Sequence, residues 1–218
     1  MAPSDDPEPL RSDAERNRDR ILDAARRLYG ADGLGVSMAA VAREARVGIA
    51  TLFRRFPTQD DLVAAVFADR MTAYGDAITA ALADPDPWRG FTGYLETVCA
   101  MQAADRGFAE VLTMTFPKAK ALEACRDRAY GQFVELIAKA KAAGRLRQDF
   151  TPEDMPLLLM ANAGVIAVTG DAAPDAWRRL VGYLIQAFAV PDPAPLPPAP
   201  SPVAMYRAMI TVHRTRTR

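Results

Sequence analysis

The sequence predicts an all-α protein. An N-terminal three-helix domain carrying a helix-turn-helix is joined by a long helix to a larger C-terminal helical bundle. Three observations predict it. From about Ser12 to about Ala189, nearly every block repeats its apolar residues at helical spacing. No stretch shows sustained two-residue alternation rich in Val, Ile and Thr, so no strand is expected. The prolines in this region fall mostly between the apolar blocks, where helices begin.

The elements follow in order. Residues 1–10 hold Pro3, Pro7 and Pro9 and read as a disordered lead. Helix one carries Ile21, Ala25 and Leu28 at i, i+4 and i+7 and stops near Gly30 and Gly33. Ser37 stands as an N-cap for a second helix with Met38, Val41, Ala42 and Ala45. Val47 and Gly48 make a tight break, with Gly48 free to take a positive φ. A third helix follows with Ile49, Leu52, Phe53 and Phe56 as its apolar stripe, and Pro57 stops it. Thr58 with Asp61 resembles a capping box for one long fourth helix through Leu62, Val66, Phe67, Met71, Tyr74, Ile78 and Leu82. These blocks give a helix-turn-helix domain over 11–57. A second domain spans 58–189, with further helices near 86–104, 106–116, 118–143, 153–169 and 175–189. Residues 190–202 hold seven prolines in thirteen, an extended linker that opens a Pro-rich and basic tail over 190–218. Val203 to Ile210 can form a short helix within that tail.

Composition narrows the function. The chain has 218 residues and 27 basic against 27 acidic side chains, so a blanket polyanion binder is not expected. Residues 11–56 nevertheless carry ten arginines against six acids, so positive charge gathers on the helix-turn-helix. Only Cys99 and Cys125 are present, and the one histidine, His213, is nearly terminal. No metal site, cofactor or His-based triad is therefore expected. With no apolar run of 18 residues and no signal-peptide pattern, the expectation is a cytoplasmic protein without a membrane partner.

The third helix points toward DNA. Opposite its apolar stripe it offers Ala50, Thr51, Arg54 and Arg55: small, hydroxylic and basic residues suited to a major groove. On periodicity alone a plain α-bundle stays equally open.

The segment Arg20–Phe67 resembles, without gaps, the N-terminal domain of TetR/AcrR-type transcriptional regulators. The match runs through the Ile-Leu-x-Ala-Ala opening, the glycine loop, Ser37, "VAREARVG", "TLFRRF" and "PTQDDL". The resemblance implies a homodimer that binds double-stranded operator DNA and is released by a small-molecule effector. It implies DNA contacts from Ser37, Met38, Arg46, Gly48, Ile49, Ala50, Thr51, Phe53, Arg54, Arg55, Thr58 and Gln59. Two positions depart from the family: Phe53 stands where Tyr is common, and Gln59 where Lys is usual, so two phosphate contacts are missing. Arg16, Arg18 and Arg20 can compensate as a basic arm, or simply pair with Asp13, Glu15 and Asp19 on a solvated face.

In the second domain the candidates for a mainly apolar ligand pocket are Met101, Phe108, Leu112, Met114, Phe116, Phe133, Met160 and Asn162. Trp177, Leu180, Val181, Leu184, Ile185 and Phe188 stripe the last main helix and are the expected dimer seam, beside the apolar stretch Met155–Thr169. Pro156 is expected to distort that stretch in its second turn. The leading expectation is a ligand-released repressor. The alternatives are a helical adaptor whose helix-turn-helix no longer contacts DNA, and, much less favoured, a helical enzyme using the pocket.

Overall fold

The computed structural model describes residues 8–189, 194 and 196–216, and every regular element among them is helical. Helices α1 (Glu8–Asp32), α2 (Met38–Glu44) and α3 (Ile49–Arg55) form the first unit, and α4 (Gln59–Val66) leads out of it. The second unit holds α5 (Ala68–Ala83), α6 (Pro87–Ala104), α7 (Arg106–Thr113), α8 (Lys120–Ala142), α9 (Asp154–Thr169) and α10 (Ala176–Phe188). A single 3₁₀ turn, Gly170–Ala172, links the last two. The Pro-rich segment ends in α11 (Pro202–Arg216).

Several starts and stops have local causes. Ser37 Oγ accepts the Ala40 amide at 3.2 Å and caps α2. At α4 the capping box is complete: Thr58 Oγ1 accepts Asp61 N at 3.2 Å, and Asp61 Oδ2 accepts Thr58 N at 3.0 Å. The Asp86 side chain caps α6, with Pro87 in its first turn.

Five sequence expectations are corrected. Helix α1 already runs from Glu8, so residues 8–10 are not part of a disordered lead; residues 1–7 lie outside the described residues. The positive φ in the turn belongs to Arg46, at 53°, whereas Gly48 is extended at φ −65° and ψ 142°. The expected long fourth helix is two helices that meet at Phe67, whose ψ of 12° interrupts the helical ladder. Pro156 distorts nothing: α9 starts at Asp154, so the proline sits in the first turn, where its missing N–H is not needed. The tail helix is also longer than Val203–Ile210.

One apolar core runs through both units. In the first it holds Ile21, Ala25, Tyr29, Val41, Ala42, Leu52, Phe56 and Leu62. In the second it centres on an aromatic cluster: Phe91 meets Phe150 edge-on at 5.3 Å and stacks on Phe133 at 6.1 Å, and Phe150 meets Phe188 at 4.9 Å. Phe67 is the hinge between the units. It is 3% exposed, with Tyr29 of α1 on one side at 6.2 Å and Phe108 of α7 on the other at 6.0 Å. Gly107 makes this packing possible, because a Cβ there would fall 2.8 Å from Phe67 Cζ and 3.1 Å from the Tyr29 backbone oxygen.

Helix α9 alone among the described residues has the length and composition of a membrane span, counted through the 3₁₀ turn to Ala172. Here it packs on α6, α7 and α10, burying Met155, Leu158, Leu159 and Asn162. Its outer face keeps Leu157, Ala161, Gly164 and Val168 exposed at i, i+4, i+7 and i+11.

Candidate nucleic-acid interface and cavity

Helix α3 is anchored by Leu52, fully buried, and Phe56, 6% exposed. The spacing had placed Ile49 and Phe53 in the same stripe. They instead face solvent, at 44% and 45% exposure, beside Ala50, Arg54 and Arg55. The reason is geometric: a seven-residue helix packed mainly on α2 buries a narrow stripe, and two anchors fill it. The outer face is therefore more apolar than expected. Arg54 and Arg55 form no ion pair among the described residues, and a shallow groove beside them is lined by Ala14, Asn17 and Thr51. Near Gly48 a Cβ would meet only Thr51 Oγ1, at 3.9 Å, so the protein itself imposes no glycine there.

The other candidate DNA contacts are sorted by their partners. Ser37 is exposed at the start of α2, and Met38 is half-buried behind it. Arg46 is exposed, and its carbonyl accepts Arg20 Nη2 at 3.4 Å. Arg20 also reaches Asn17 Oδ1 at 2.7 Å, and Arg18 lies 3.9 Å from Asp19, so these arginines have partners on the protein. Thr58 is committed to its capping box. Gln59 Nε2 donates to Leu34 O at 2.6 Å and Val36 O at 3.3 Å. The glutamine thus pins the loop after α1 instead of offering a cation to phosphate.

Behind this face, α7 fastens the two units together. Arg106 Nη1 donates to Ala31 O at 2.9 Å, and Glu110 Oε2 accepts Leu34 N at 2.8 Å. Gly33, at φ +78°, is held against the same carboxylate; a Cβ would come 2.5 Å from Glu110 Oε1. Asp60 of α4 is 7% exposed and accepts Lys118 N at 3.2 Å.

The far end of α7 borders a mainly apolar cavity of about 230 Å³. Its walls include Tyr74, Leu112, Phe133, Met155, Leu159 and Met205. Arg126 and Thr115 supply its inner polar groups, while Glu123, Asp127 and Glu153 also face it. Helix α11 covers it through Met205, Tyr206 and Met209. The approach to α11 is tied down by Arg147, which donates to Ala194 O at 3.1 Å and pairs with Asp149. That hydrogen-bonded pairing holds the Asp149 carboxyl down at about 2. A larger groove of about 630 Å³ opens between α5 and α8, but Thr72, Asp76, Thr79, Gln132 and Glu135 make it polar.

Of the expected pocket residues, Leu112 and Phe133 line the cavity. The others do not, and each has a reason. Phe108 fills the hinge against Phe67, and Met114 and Phe116 are buried in the core. Met101 packs on the core from α6, and Met160 sits half-buried on α9, away from the lining. Asn162 donates to Gln102 Oε1 at 2.9 Å and Cys99 O at 3.3 Å, a polar seam between α6 and α9. Burial pushes the Cys99 thiol up to about 12, consistent with a packed, inert cysteine. The residues of the expected dimer seam divide by burial within the protomer. Trp177 and Val181 are buried inside the protomer, and Leu184, Ile185 and Phe188 pack on its core; Leu180 is half-exposed.

Sequence reasoning missed Arg126, Thr115 and the α11 residues. One signal for Arg126 was present: Leu122, Arg126, Ala129 and Phe133 follow one another at i, i+4, i+7 and i+11, a charge on an apolar stripe.

Two family models match the chain. Residues 21–66 match the model of bacterial regulatory proteins of the tetR family, and residues 86–186 match the C-terminal domain of SbtR-like transcriptional regulators. The TetR transcription regulatory protein of Mycobacterium vanbaalenii is 30% identical, covering 84% of this chain and all of that one, at a TM-score of 0.47. The chain belongs to the TetR family. A TetR family regulator from Shewanella sp. PV-4 is 25% identical over 80% of this chain and 98% of its own, with a TM-score of 0.52. An HTH-type transcriptional regulator of Staphylococcus aureus strain USA300 is 39% identical over 54 residues, 24% of this chain; the match spans only 29% of that relative. As a TetR-type transcriptional regulator, the protein has α2 and α3 as its helix-turn-helix, and the matched C-terminal domain holds α6–α10.

Proposed function

We propose that this TetR-type regulator is a homodimeric repressor, acting in the cytoplasm, that leaves its operator when a small, largely apolar effector fills the cavity beneath α11. The observation that carries this reading is the position of α7. Arg106 in its first turn holds the DNA-binding unit at Ala31 O, and its second turn both accepts the Leu34 amide at Glu110 and reaches the cavity at Leu112. A displacement at the cavity therefore acts on the loop that fixes α1 against α2 and α4. The route differs from that expected of a rigid fourth helix, because the helix is broken at Phe67.

Operator reading falls to Ile49, Ala50, Phe53, Arg54 and Arg55, with Ser37 and Arg46 at the flanks. The exposed apolar pair suits thymine methyl groups, and the arginines suit guanine edges or phosphates. A dimer brings two such helices to successive major grooves, about 34–36 Å apart. The seam that fits is the outer stripe of α9, Leu157, Ala161, Gly164 and Val168, with Leu180 and Tyr183 of α10 beside it. The protomer leaves these side chains exposed, Leu180 half so, and the small members allow close helix approach. Fluorescence anisotropy with operator duplex tests the whole reading. Effector addition should lower operator affinity, and operator should lower effector affinity by the same factor. Effector that occupies the cavity and leaves operator affinity unchanged would contradict it.

A further inference from the structure

The cavity is apolar on most sides, but one end carries two polar groups that the protein leaves underused. Thr115 is 2% exposed, and its hydroxyl has no hydrogen-bond partner among the described residues. Buried hydroxyls are nearly always bonded, so an orphan lining a cavity marks a place for an incoming polar atom. Arg126 donates Nη1 to Met114 O and Nη2 to Val111 O. Both acceptors are neutral, and no carboxylate lies within ion-pair distance of this guanidinium among the described residues. Met114 directly precedes Thr115, and Arg126 and Thr115 both line the cavity.

We propose that this end receives the carboxylate of a small organic acid, whose ring or short chain lies against Leu112, Phe133, Met155 and Leu159. The inference rests on reading the cavity as the effector site and names the chemical class that site takes. A carboxylate offers only acceptors, and it meets two donors here, the free N–H groups of Arg126 and the Thr115 hydroxyl. Burial lowers the basicity of Arg126, and a desolvated cation gains most from a direct anion partner. The three acids facing the cavity do not fill this role. Glu123 accepts Phe116 N at 2.7 Å, Glu153 accepts the Tyr130 hydroxyl at 3.4 Å, and Asp127 is exposed and shared with the polar groove. Glu123 and Asp127 act on Arg126 through space, but neither reaches ion-pair distance of its guanidinium among the described residues. Size fits too: an apolar cavity of about 150 Å³ holds benzene, and this one, at about 230 Å³, takes a ring bearing a carboxylate or an aliphatic acid of similar bulk.

The same contact explains how such a ligand acts. Val111 and Met114 carry the carbonyls at the end of α7, and Arg126 holds them both. An anion that draws the guanidinium into the cavity frees that end of α7, where Glu110, one residue before Val111, holds Leu34 N, while Arg106 in the first turn holds Ala31 O.

The test titrates full-length protein with benzoate, cyclohexanecarboxylate and octanoate, and with their matched primary amides and primary amines. Binding is read by calorimetry and thermal shift. At least one acid should saturate, with its amide about tenfold weaker or worse. Thr115→Val should weaken the acid about five- to tenfold while leaving the ligand-free melting midpoint unchanged or higher, because no partner is lost. Arg126→Gln should abolish binding; if it fails to fold, Thr115→Val and the acid–amide pairs decide the matter. Amides that bind as well as acids, amines that bind where acids do not, acids indifferent to Thr115→Val, or no saturating acid would each overturn the assignment. Operator affinity measured with the same probes separates the two readings. An amine that releases operator overturns the carboxylate and leaves the effector reading intact. An acid that binds by these rules without releasing operator sustains the carboxylate and overturns the effector reading.

Discussion

The Glu110 carboxylate accepts the Leu34 amide at 2.8 Å, joining residues 76 positions apart and two helical units in one buried hydrogen bond. Removing one partner of such a bond leaves the other unsatisfied, which costs about 1–3 kcal/mol. Glu110→Ala should therefore lower the melting midpoint measurably. Its larger effect should be on coupling: effector and operator should bind almost independently in this variant, as read by anisotropy with and without effector.

Gly33→Ala probes the same latch from the other side. The φ of +78° disfavours any Cβ, and the new methyl would sit 2.5 Å from Glu110 Oε1. Denaturant unfolding should show a loss of about 1–3 kcal/mol. Combining it with Glu110→Ala should cost less than the sum of the two single changes, because the clash is removed with the carboxylate.

On α3 the buried and exposed apolar residues should part company. Leu52→Ala should destabilise the fold by about 2–5 kcal/mol, as buried leucines do. Phe53→Ala should leave stability within about 0.5 kcal/mol and weaken operator binding, because its ring is 45% exposed on the outer face. Equal effects on folding from both changes would return Phe53 to the core.

Arg54→Ala and Arg55→Ala should each weaken operator binding without shifting the melting midpoint. If the arginine reads a guanine, about 1–3 kcal/mol and some discrimination between sequences should go. If it holds a phosphate, the salt dependence of binding should become shallower instead.

The α9 stripe gives a dimer test that spares the core. Leu157→Glu with Gly164→Glu places charge on a face that the protomer leaves exposed. Sedimentation at micromolar concentration should show monomers with an unchanged helical spectrum and much weaker operator binding. The paired change Leu184→Glu and Phe188→Glu would instead unfold the chain, since both residues pack on the core.

Much of this was legible in the sequence, for physical reasons that also mark the limits. Helix positions followed from apolar period and caps, and Thr58 with Asp61 formed the capping box as read. Period alone cannot tell an apolar residue that packs from one that faces solvent, so the apolar stripe took in Ile49 and Phe53, which the structure leaves exposed. A left-handed residue is expected to be glycine, yet Arg46 takes that conformation and its carbonyl is held by Arg20. The break at Phe67 has no proline or glycine to announce it; it reflects an aromatic clamped between Tyr29 and Phe108, a long-range contact. The cavity was harder still. Its lid comes from α11, across the Pro-rich segment, and its polar end depends on Arg126 finding carbonyls on another helix.

In the proposed function, α3 of each subunit reads DNA as one of a symmetric pair. The most direct measurement is selection of bound duplexes from a random pool by the wild-type protein and by the Arg54→Ala, Arg55→Ala double variant. The wild type should enrich a pseudo-palindrome whose half-sites are centred about one helical turn apart or a multiple of it, and the double variant should lose that enrichment while remaining folded. No enriched sequence with wild type, or the same sequence enriched equally by the variant, would contradict the account.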